Sequence, residues 1–154
     1  MIPCSFLNIF VICINFVYNR IAMTRLDERV ENFNKFFTIL SDVVETYNKN
    51  KNDVIIHMAL VQSFEVCFEL SWKILKDYLS TEGIEVYTPR DVIKTAFNSN
   101  IIKNGQIWID MSNDRNASSH EYNMDKVNII LERISTDYYV ELTRFSKWLG
   151  EINA

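Results

Sequence analysis

The apolar residues of the chain recur every three or four positions over long stretches, and this spacing predicts amphipathic helices. In the first predicted helix the apolar stripe comprises Leu26, Val30, Phe33, Phe37, Leu40, Val44 and Tyr47. A polar break at residues 48–52 precedes a second helix, whose stripe comprises Met58, Val61, Phe64, Phe68, Trp72, Leu75 and Leu79. Further apolar side chains widen that second stripe, namely Val54, Cys67, Leu70, Ile74 and Tyr78. We therefore expect the second helix to lie at the centre of the fold or to form an interface.

Local signals predict where the second and third helices begin and end. Asn52 or Asp53 can cap the start of the second helix, and Gly83 is a natural terminator of it. Thr88 can cap a short third helix that has Pro89 at its first position, where the missing N–H of proline costs nothing. This third helix is expected to run to about residue 97.

The remaining chain predicts two more helices and no strand. A fourth helix covers residues 106–118, and the last helix begins near Asp125. The apolar stripe of the last helix comprises Val127, Leu131, Ile134, Tyr138, Leu142, Phe145, Leu149 and Ile152. No segment shows the two-residue alternation of a half-buried strand. The predicted fold is all-α, an up-and-down four-helix bundle with one or two additional short helices.

Residues 1–22 differ in composition from the rest of the chain. Residues 2–18 are almost entirely apolar, but the run contains Pro3 and is shorter than the roughly 20 apolar residues that a membrane-spanning helix needs. The first basic residue, Arg20, follows the run, whereas a secretory signal has basic residues before it. We interpret residues 1–22 as an apolar extension outside the native domain, with translation starting at Met23, and residues 23–154 as one helical domain. A membrane anchor and an ordered extra helix are the alternatives.

Composition limits the classes of function. There are 16 Lys and Arg residues against 20 Asp and Glu residues, a net charge of −4, so any contact with RNA needs a local site. The three cysteines form no CxxC pair and build no zinc or disulfide framework, which favours a reducing cytoplasm. The chain has no Gly-rich phosphate loop and no cluster of metal-ligand residues. We therefore expect no cofactor, no metal and no membrane association.

One of the two histidines, His120, has candidate catalytic partners. Arg115 precedes it by five residues. An arginine can hold a phosphate through two parallel donors, and a histidine can exchange a proton near neutral pH. Residues five apart on a continuous helix point to different sides, so the two side chains converge more easily if the helix ends near Ser118.

Neighbouring polar residues complete the candidate site. Asn116 follows the arginine directly, and Asp114 and Ser119 are candidates for supporting roles, with Asp114 expected to be solvated or paired with Arg115. The second histidine, His57, lies beside an apolar stripe and is interpreted as a structural or surface residue. On spacing alone, a cluster of hydrogen bonds at a helix end remains an alternative to a catalytic site.

Residues 108–122 resemble the signature of the HEPN superfamily, in its nucleotidyltransferase substrate-binding branch. This branch includes the HepT-like toxins that pair with a minimal nucleotidyltransferase. Residues 64–73 resemble the second helix of this family, and residues 88–93 resemble its short third helix. The resemblance covers about residues 26–149 and is specific because the three segments occur together and in order.

The resemblance implies a homodimer in which two Arg-x4-His motifs face each other, and a metal-independent ribonuclease. In that scheme Arg115 holds the scissile phosphate, His120 assists attack by the ribose 2′-OH or protonates the leaving oxygen, and Asn116 orients the pair. The resemblance also implies that Tyr122 is the position to which the partner nucleotidyltransferase attaches AMP. The alternatives are a non-catalytic substrate-binding subunit of that nucleotidyltransferase and a helical protein whose motif is purely structural.

Overall fold

The computed structural model describes the backbone of residues 4–118 and 124–152 and the side chains of residues 25–117 and 125–152. The helices are α1 (Cys4–Lys49), α2 (Val54–Thr81), α3 (Pro89–Asn98), α4 (Gly105–Ser118), α5 (Met124–Arg133) and α6 (Tyr139–Ile152), with a π-helical turn at Ile134–Tyr138. This turn joins α5 to α6 without an intervening residue, so the predicted last helix is one rod with a wider turn inside it. The described ranges contain no strand, and the predicted all-α bundle with additional short helices is confirmed.

The predicted helix ends are formed by the predicted residues. The side chain of Asp53 accepts hydrogen bonds from the backbone N–H groups of Ile55 and Ile56. Thr88 accepts one from the N–H of Asp91, with Pro89 at the first helical position. Beyond the end of α2, Gly83 has a φ of +79°, a conformation that favours glycine because it has no Cβ.

The core lies between α2 and the helices around it. Trp108 of α4 is fully buried, and its ring centroid lies 6.5 Å from that of Phe68 on α2 and 5.5 Å from that of Phe145 on α6. Burial raises the pKa of the Cys67 thiol on α2 to about 12, so the thiol stays protonated at neutral pH. The length and hydropathy of α2 would also suit a membrane span, as they do for many core helices, and its buried side chains form the centre of this bundle.

The first turns of α2 lie outside the core that the rest of the helix forms. Met58 and Val54 belong to the predicted apolar surface of this helix, but their side chains are 70% and 61% exposed. The periodicity of a helix with such a wide apolar surface does not specify which part its neighbours cover. Packing covers the side with Phe64 and Phe68, and the first turns keep an uncovered apolar surface.

A buried acidic residue of α2, Asp77, joins that helix to the middle of α1. Asp77 is only 4% exposed, and its carboxylate forms ion pairs with Arg25, at 3.3 Å, and with Arg29. Arg29 also donates a hydrogen bond to the carbonyl oxygen of Lys73, at 3.3 Å. A buried carboxylate destabilises a fold unless cations and donors surround it. The segment that contains both arginines is therefore part of the folded unit.

We predict that a chain beginning at Met23 melts at the same temperature as the full chain, because both arginines and the apolar stripe from Leu26 onwards are kept. Thermal unfolding followed by circular dichroism measures this. As a comparison, Arg29→Ala in the shorter chain is expected to lower the free energy of unfolding by about 2 kcal/mol, since Asp77 loses a partner. A large loss of stability on removal of residues 1–22 alone would contradict the proposed domain boundary.

Candidate functional site

The last turn of α4 places Arg115 at the wall of a groove between three helices. The groove has a volume of about 430 Å³ and receives side chains from α1, α2 and α4. Its lining residues are Asn32, Phe36, Gln62, Glu65, Val66, Glu69, Leu70 and Arg115. We call it the Arg115 groove. The lining is partly apolar and partly polar, and its polar groups are carboxylates, amides and one guanidinium.

Two acceptors hold the guanidinium of Arg115. Its Nη2 lies 2.9 Å from Oε1 of Glu69 on α2, and its Nη1 donates to Oδ1 of Asn116, at 3.2 Å. The side chain of Arg115 is 36% exposed and that of Glu69 is 27% exposed, so the pair lies at the boundary between protein and solvent. A guanidinium has five N–H donors in a planar fork. An arginine oriented in this way can present a planar set of donors to a phosphate group.

Asp114 points to a different side of α4 from Arg115, and this corrects the expectation that it would be solvated or paired with Arg115. Its Oδ2 accepts a hydrogen bond of 2.5 Å from the hydroxyl of Tyr138 and lies 3.1 Å from Nη1 of Arg133. The side chain of Asp114 is 14% exposed. Consecutive helical residues point about 100° apart. Asp114 therefore reaches the last helical rod, while Arg115 forms an ion pair with Glu69 on α2.

The π-helical turn supplies the phenol that Asp114 binds. Tyr138 is the last residue of that turn, and its ring stacks on Phe64 of α2 with a centroid distance of 5.3 Å. Burial raises the pKa of the Tyr138 hydroxyl, and its hydrogen bond to Asp114 raises it further. The hydrogen bond and charge of Asp114 raise the pKa of Arg133. These contacts of Asp114, one residue before Arg115, connect the last turn of α4 to the end of α5 and to the π-helical turn.

Three candidate residues lie outside the described residues. These are Ser119, His120 and Tyr122, which follow the end of α4. The described part of α4 extends to Ser118, and the helix end that the sequence predicts near this residue stays a prediction, because the residues that follow lie outside the described ones. Of the candidates, the structure brings Arg115 and Asn116 into contact and places Asp114 in a separate hydrogen-bonded cluster.

The other histidine has a structural environment. Nε2 of His57 lies 2.7 Å from the carbonyl oxygen of Lys51, and its ring packs edge-on against Tyr47 with a centroid distance of 5.8 Å. Because a carbonyl oxygen only accepts, Nε2 bears the proton in this contact. His57 connects the α1–α2 turn to both helices, which agrees with its interpretation as a structural residue.

The sequence interpretation missed three residues that shape the site, namely Glu69, Arg133 and Tyr138. Glu69 could have been considered from the sequence, since it is an acidic residue within the segment that resembles the second helix of the family. Arg133 and Tyr138 had none, because both belong to an ordinary amphipathic pattern. Within residues 25–117 and 125–152, no three His, Cys, Asp or Glu side chains lie close enough together to hold a metal ion.

Comparisons with known proteins match most of the chain. A family model described as nucleotidyltransferase substrate binding protein like matches residues 28–151. A Haemophilus influenzae protein named Probable ribonuclease HepT is 27% identical over 130 residues, which cover 77% of this chain and 88% of that protein. Residues 28–151 include the Arg115 groove and the segment with His120 and Tyr122.

Solved structures share the fold. HI0074 of Haemophilus influenzae, which has the fold of a substrate binding domain of a nucleotidyltransferase, superposes with a TM-score of 0.68 and 22% identity over 79% of this chain and 98% of that chain. A tri-AMPylated HEPN toxin of Shewanella oneidensis, solved in complex with its MNT antitoxin, gives a TM-score of 0.65 and 14% identity, covering 82% of this chain and 96% of that chain. Because both identities are low, the superpositions establish only that this chain has the same HEPN-like fold.

Proposed function

Because the chain belongs to the nucleotidyltransferase substrate binding protein like family, we propose that it is the HEPN partner of a minimal nucleotidyltransferase and acts as a ribonuclease toxin. The observation behind this proposal is the oriented guanidinium of Arg115, held by Glu69 and Asn116 at the groove, five residues before His120. A relative named Probable ribonuclease HepT and a HEPN toxin bound to an MNT antitoxin support it.

In the proposed reaction, Arg115 holds the phosphate of the RNA bond that is cut. His120 takes the proton of the neighbouring ribose 2′-OH as that oxygen attacks phosphorus, or gives a proton to the 5′ oxygen that leaves. Asn116 keeps the guanidinium oriented through its Oδ1 contact. Transfer of AMP from ATP to the Tyr122 hydroxyl by the partner, with release of pyrophosphate, would switch the toxin off. A cytoplasmic location stays a prediction from the cysteine pattern.

The test is incubation of the purified chain with single-stranded RNA in the presence of EDTA. Cleavage is expected, with products that end in a 2′,3′-cyclic phosphate, because attack by the 2′-OH closes that ring. Intact RNA would contradict the ribonuclease proposal.

A non-catalytic substrate-binding subunit is the second candidate function. Among the described lining residues of the groove, Glu65 and Glu69 outnumber Arg115, and they repel a long polyanion such as RNA more than a single nucleotide, which favours this second function. If the chain binds RNA or a nucleotide without cutting RNA, while activity of the partner nucleotidyltransferase depends on it, this second function is the correct one.

We further propose that two copies of the chain associate through an exposed apolar face on α1 and α2. This α1/α2 face consists of Phe36, Ile39, Ile55 and Met58, which are 37%, 48%, 75% and 70% exposed. Phe36 also lines the Arg115 groove, so the face is continuous with the candidate site. Contiguous exposed apolar surface marks interaction sites. A second copy docked here would bring the two Arg115 grooves together.

We predict that Ile55→Asp combined with Met58→Asp raises the dissociation constant of the homodimer about 10- to 100-fold, because two charges would be buried in an apolar interface. Light scattering at micromolar concentration measures this. Ile129→Asp is the matched control, since Ile129 is 53% exposed but lies on α5. A strictly monomeric parent chain would contradict the proposed dimer.

A further inference from the structure

Glu69 is an acidic residue at the wall of the Arg115 groove, on the most apolar helix of the fold. Its Oε1 pairs with Nη2 of Arg115 at 2.9 Å. Its Oε2 accepts a hydrogen bond of 3.2 Å from Nε1 of Trp72 and lies 3.2 Å from Nζ of Lys73. Both carboxylate oxygens therefore have a partner. The contacts with Trp72 and Lys73 on α2 hold the carboxylate in place where it pairs with Arg115 of α4.

The fixed carboxylate restricts the direction of the guanidinium. Glu69 contacts Nη2 of Arg115 and Asn116 contacts Nη1, so both terminal nitrogens have an acceptor. An arginine side chain has several rotatable bonds, and contacts at both ends of its planar fork remove most of that freedom. The orientation of Arg115 therefore depends on a residue that never needs to touch a substrate.

The same carboxylate opposes the binding of an anion beside it. A negative charge next to Arg115 reduces the attraction between the guanidinium and a phosphate. A partly exposed ion pair such as this one also contributes little to the stability of the fold. Glu69 should therefore have two opposite effects at the site, a gain in orientation and a loss in affinity for phosphate.

We propose that Glu69 is a positioning residue that sets the direction of the Arg115 guanidinium in the groove. This inference rests on the ribonuclease function proposed above. Glu69 acts through Arg115 and takes no part in proton transfer. Removal of its charge, with its shape kept, should separate the two effects, because affinity and turnover are then expected to change in different directions.

The experiment compares the parent chain with Glu69→Gln in steady-state cleavage of a fluorescent RNA oligonucleotide. We expect kcat to fall roughly 10- to 100-fold, because a misplaced group can cost about that much in rate, while KM stays the same or falls. In an Arg115→Ala background, Glu69→Gln should have no further effect on kcat, since the residue through which it acts is gone. A change in KM alone, or equal effects in both backgrounds, would overturn the positioning role.

The matched control is Glu45→Gln, which makes the same charge change in an exposed ion pair with Lys49 on α1. It should leave kcat and KM unchanged, and thermal melting should show that both variants are folded.

A second measurement follows the guanidinium N–H resonances of Arg115 by NMR, assigned by their loss in Arg115→Lys. Restricted rotation in the parent and faster rotation in Glu69→Gln are expected. If the parent cuts no RNA yet shows this difference, the ribonuclease proposal fails and the positioning role stands. Equal rotation in the two proteins overturns the positioning role whether or not RNA is cut.

Discussion

Replacement of His120 by alanine is expected to slow RNA cleavage roughly 10²- to 10⁴-fold, because the proton transfer that it provides is lost. Arg115→Ala is expected to slow cleavage by about 10²- to 10³-fold, since a phosphate whose charge grows in the transition state loses its donors. Arg115→Lys should recover only part of this loss, because an ammonium keeps the charge but lacks the planar fork. Initial rates of cleavage of one defined RNA oligonucleotide measure all three variants.

The chain offers matched controls for both residues. His57→Ala removes the other histidine, which contacts the Lys51 carbonyl oxygen and is not among the residues that line the Arg115 groove. Arg90→Ala removes an exposed arginine of α3. Both controls should cleave RNA at the parent rate, and melting curves should show that all variants are folded at the temperature of the assay. Cleavage at the parent rate by His120→Ala would show that the catalytic assignment is wrong and would favour the substrate-binding subunit.

The second large effect concerns Tyr122, which follows His120 by two residues. With the partner nucleotidyltransferase, ATP and magnesium, the parent chain should gain AMP on the peptide that contains Tyr122 and lose its ribonuclease activity. Each AMP joined through a phosphodiester adds about one negative charge and a bulky base, which oppose the entry of an RNA phosphate. Tyr122→Phe should remain an active ribonuclease, gain no AMP on that peptide and escape neutralisation. Mass spectrometry of peptides and cleavage assays after the incubation measure both results.

Tyr87→Phe is the control for this experiment. Tyr87 is 73% exposed and lies between α2 and α3, so its hydroxyl is open to a modifying enzyme without being near the motif in sequence. This variant should be modified and neutralised like the parent. AMP on another residue, or no AMP at all, would contradict the proposed modification of Tyr122 without testing the ribonuclease proposal.

Asp114 and Glu69 show where the sequence stops being informative about the site. Both are acidic residues near Arg115 in the fold, and Asp114 is also its neighbour in sequence. The sequence interpretation gave Asp114 as a possible partner of Arg115, but Asp114 binds Tyr138 and Arg133. Arg115 instead pairs with Glu69, an acidic residue of α2. Which acidic group reaches the arginine depends on how α4 is rotated about its axis, and sequence spacing along α4 says nothing about that rotation.

The exposed start of α2 shows that the sequence also does not determine which apolar residues are buried in the core. The sequence marks Met58 and Phe64 equally as members of one apolar stripe, yet Met58 is 70% exposed and Phe64 is fully buried. Burial depends on where α1, α4 and the last rod lie against α2. The hydrophobic pattern requires that much of this surface be covered, and it does not say whether the same chain or another molecule covers it.

The sequence by itself determined the helical class, both ends of α2 and the start of α3. These depend on interactions within about one helical turn, such as the Asp53 and Thr88 caps and the positive φ of Gly83. Only the tertiary structure decided that Glu69 holds Arg115, that Tyr138 reaches Asp114 through a π-helical turn, and that an apolar face beside the groove stays open. Such contacts join residues far apart in the chain. They are set by the joint packing of all the helices around the core, in which each side chain constrains its neighbours.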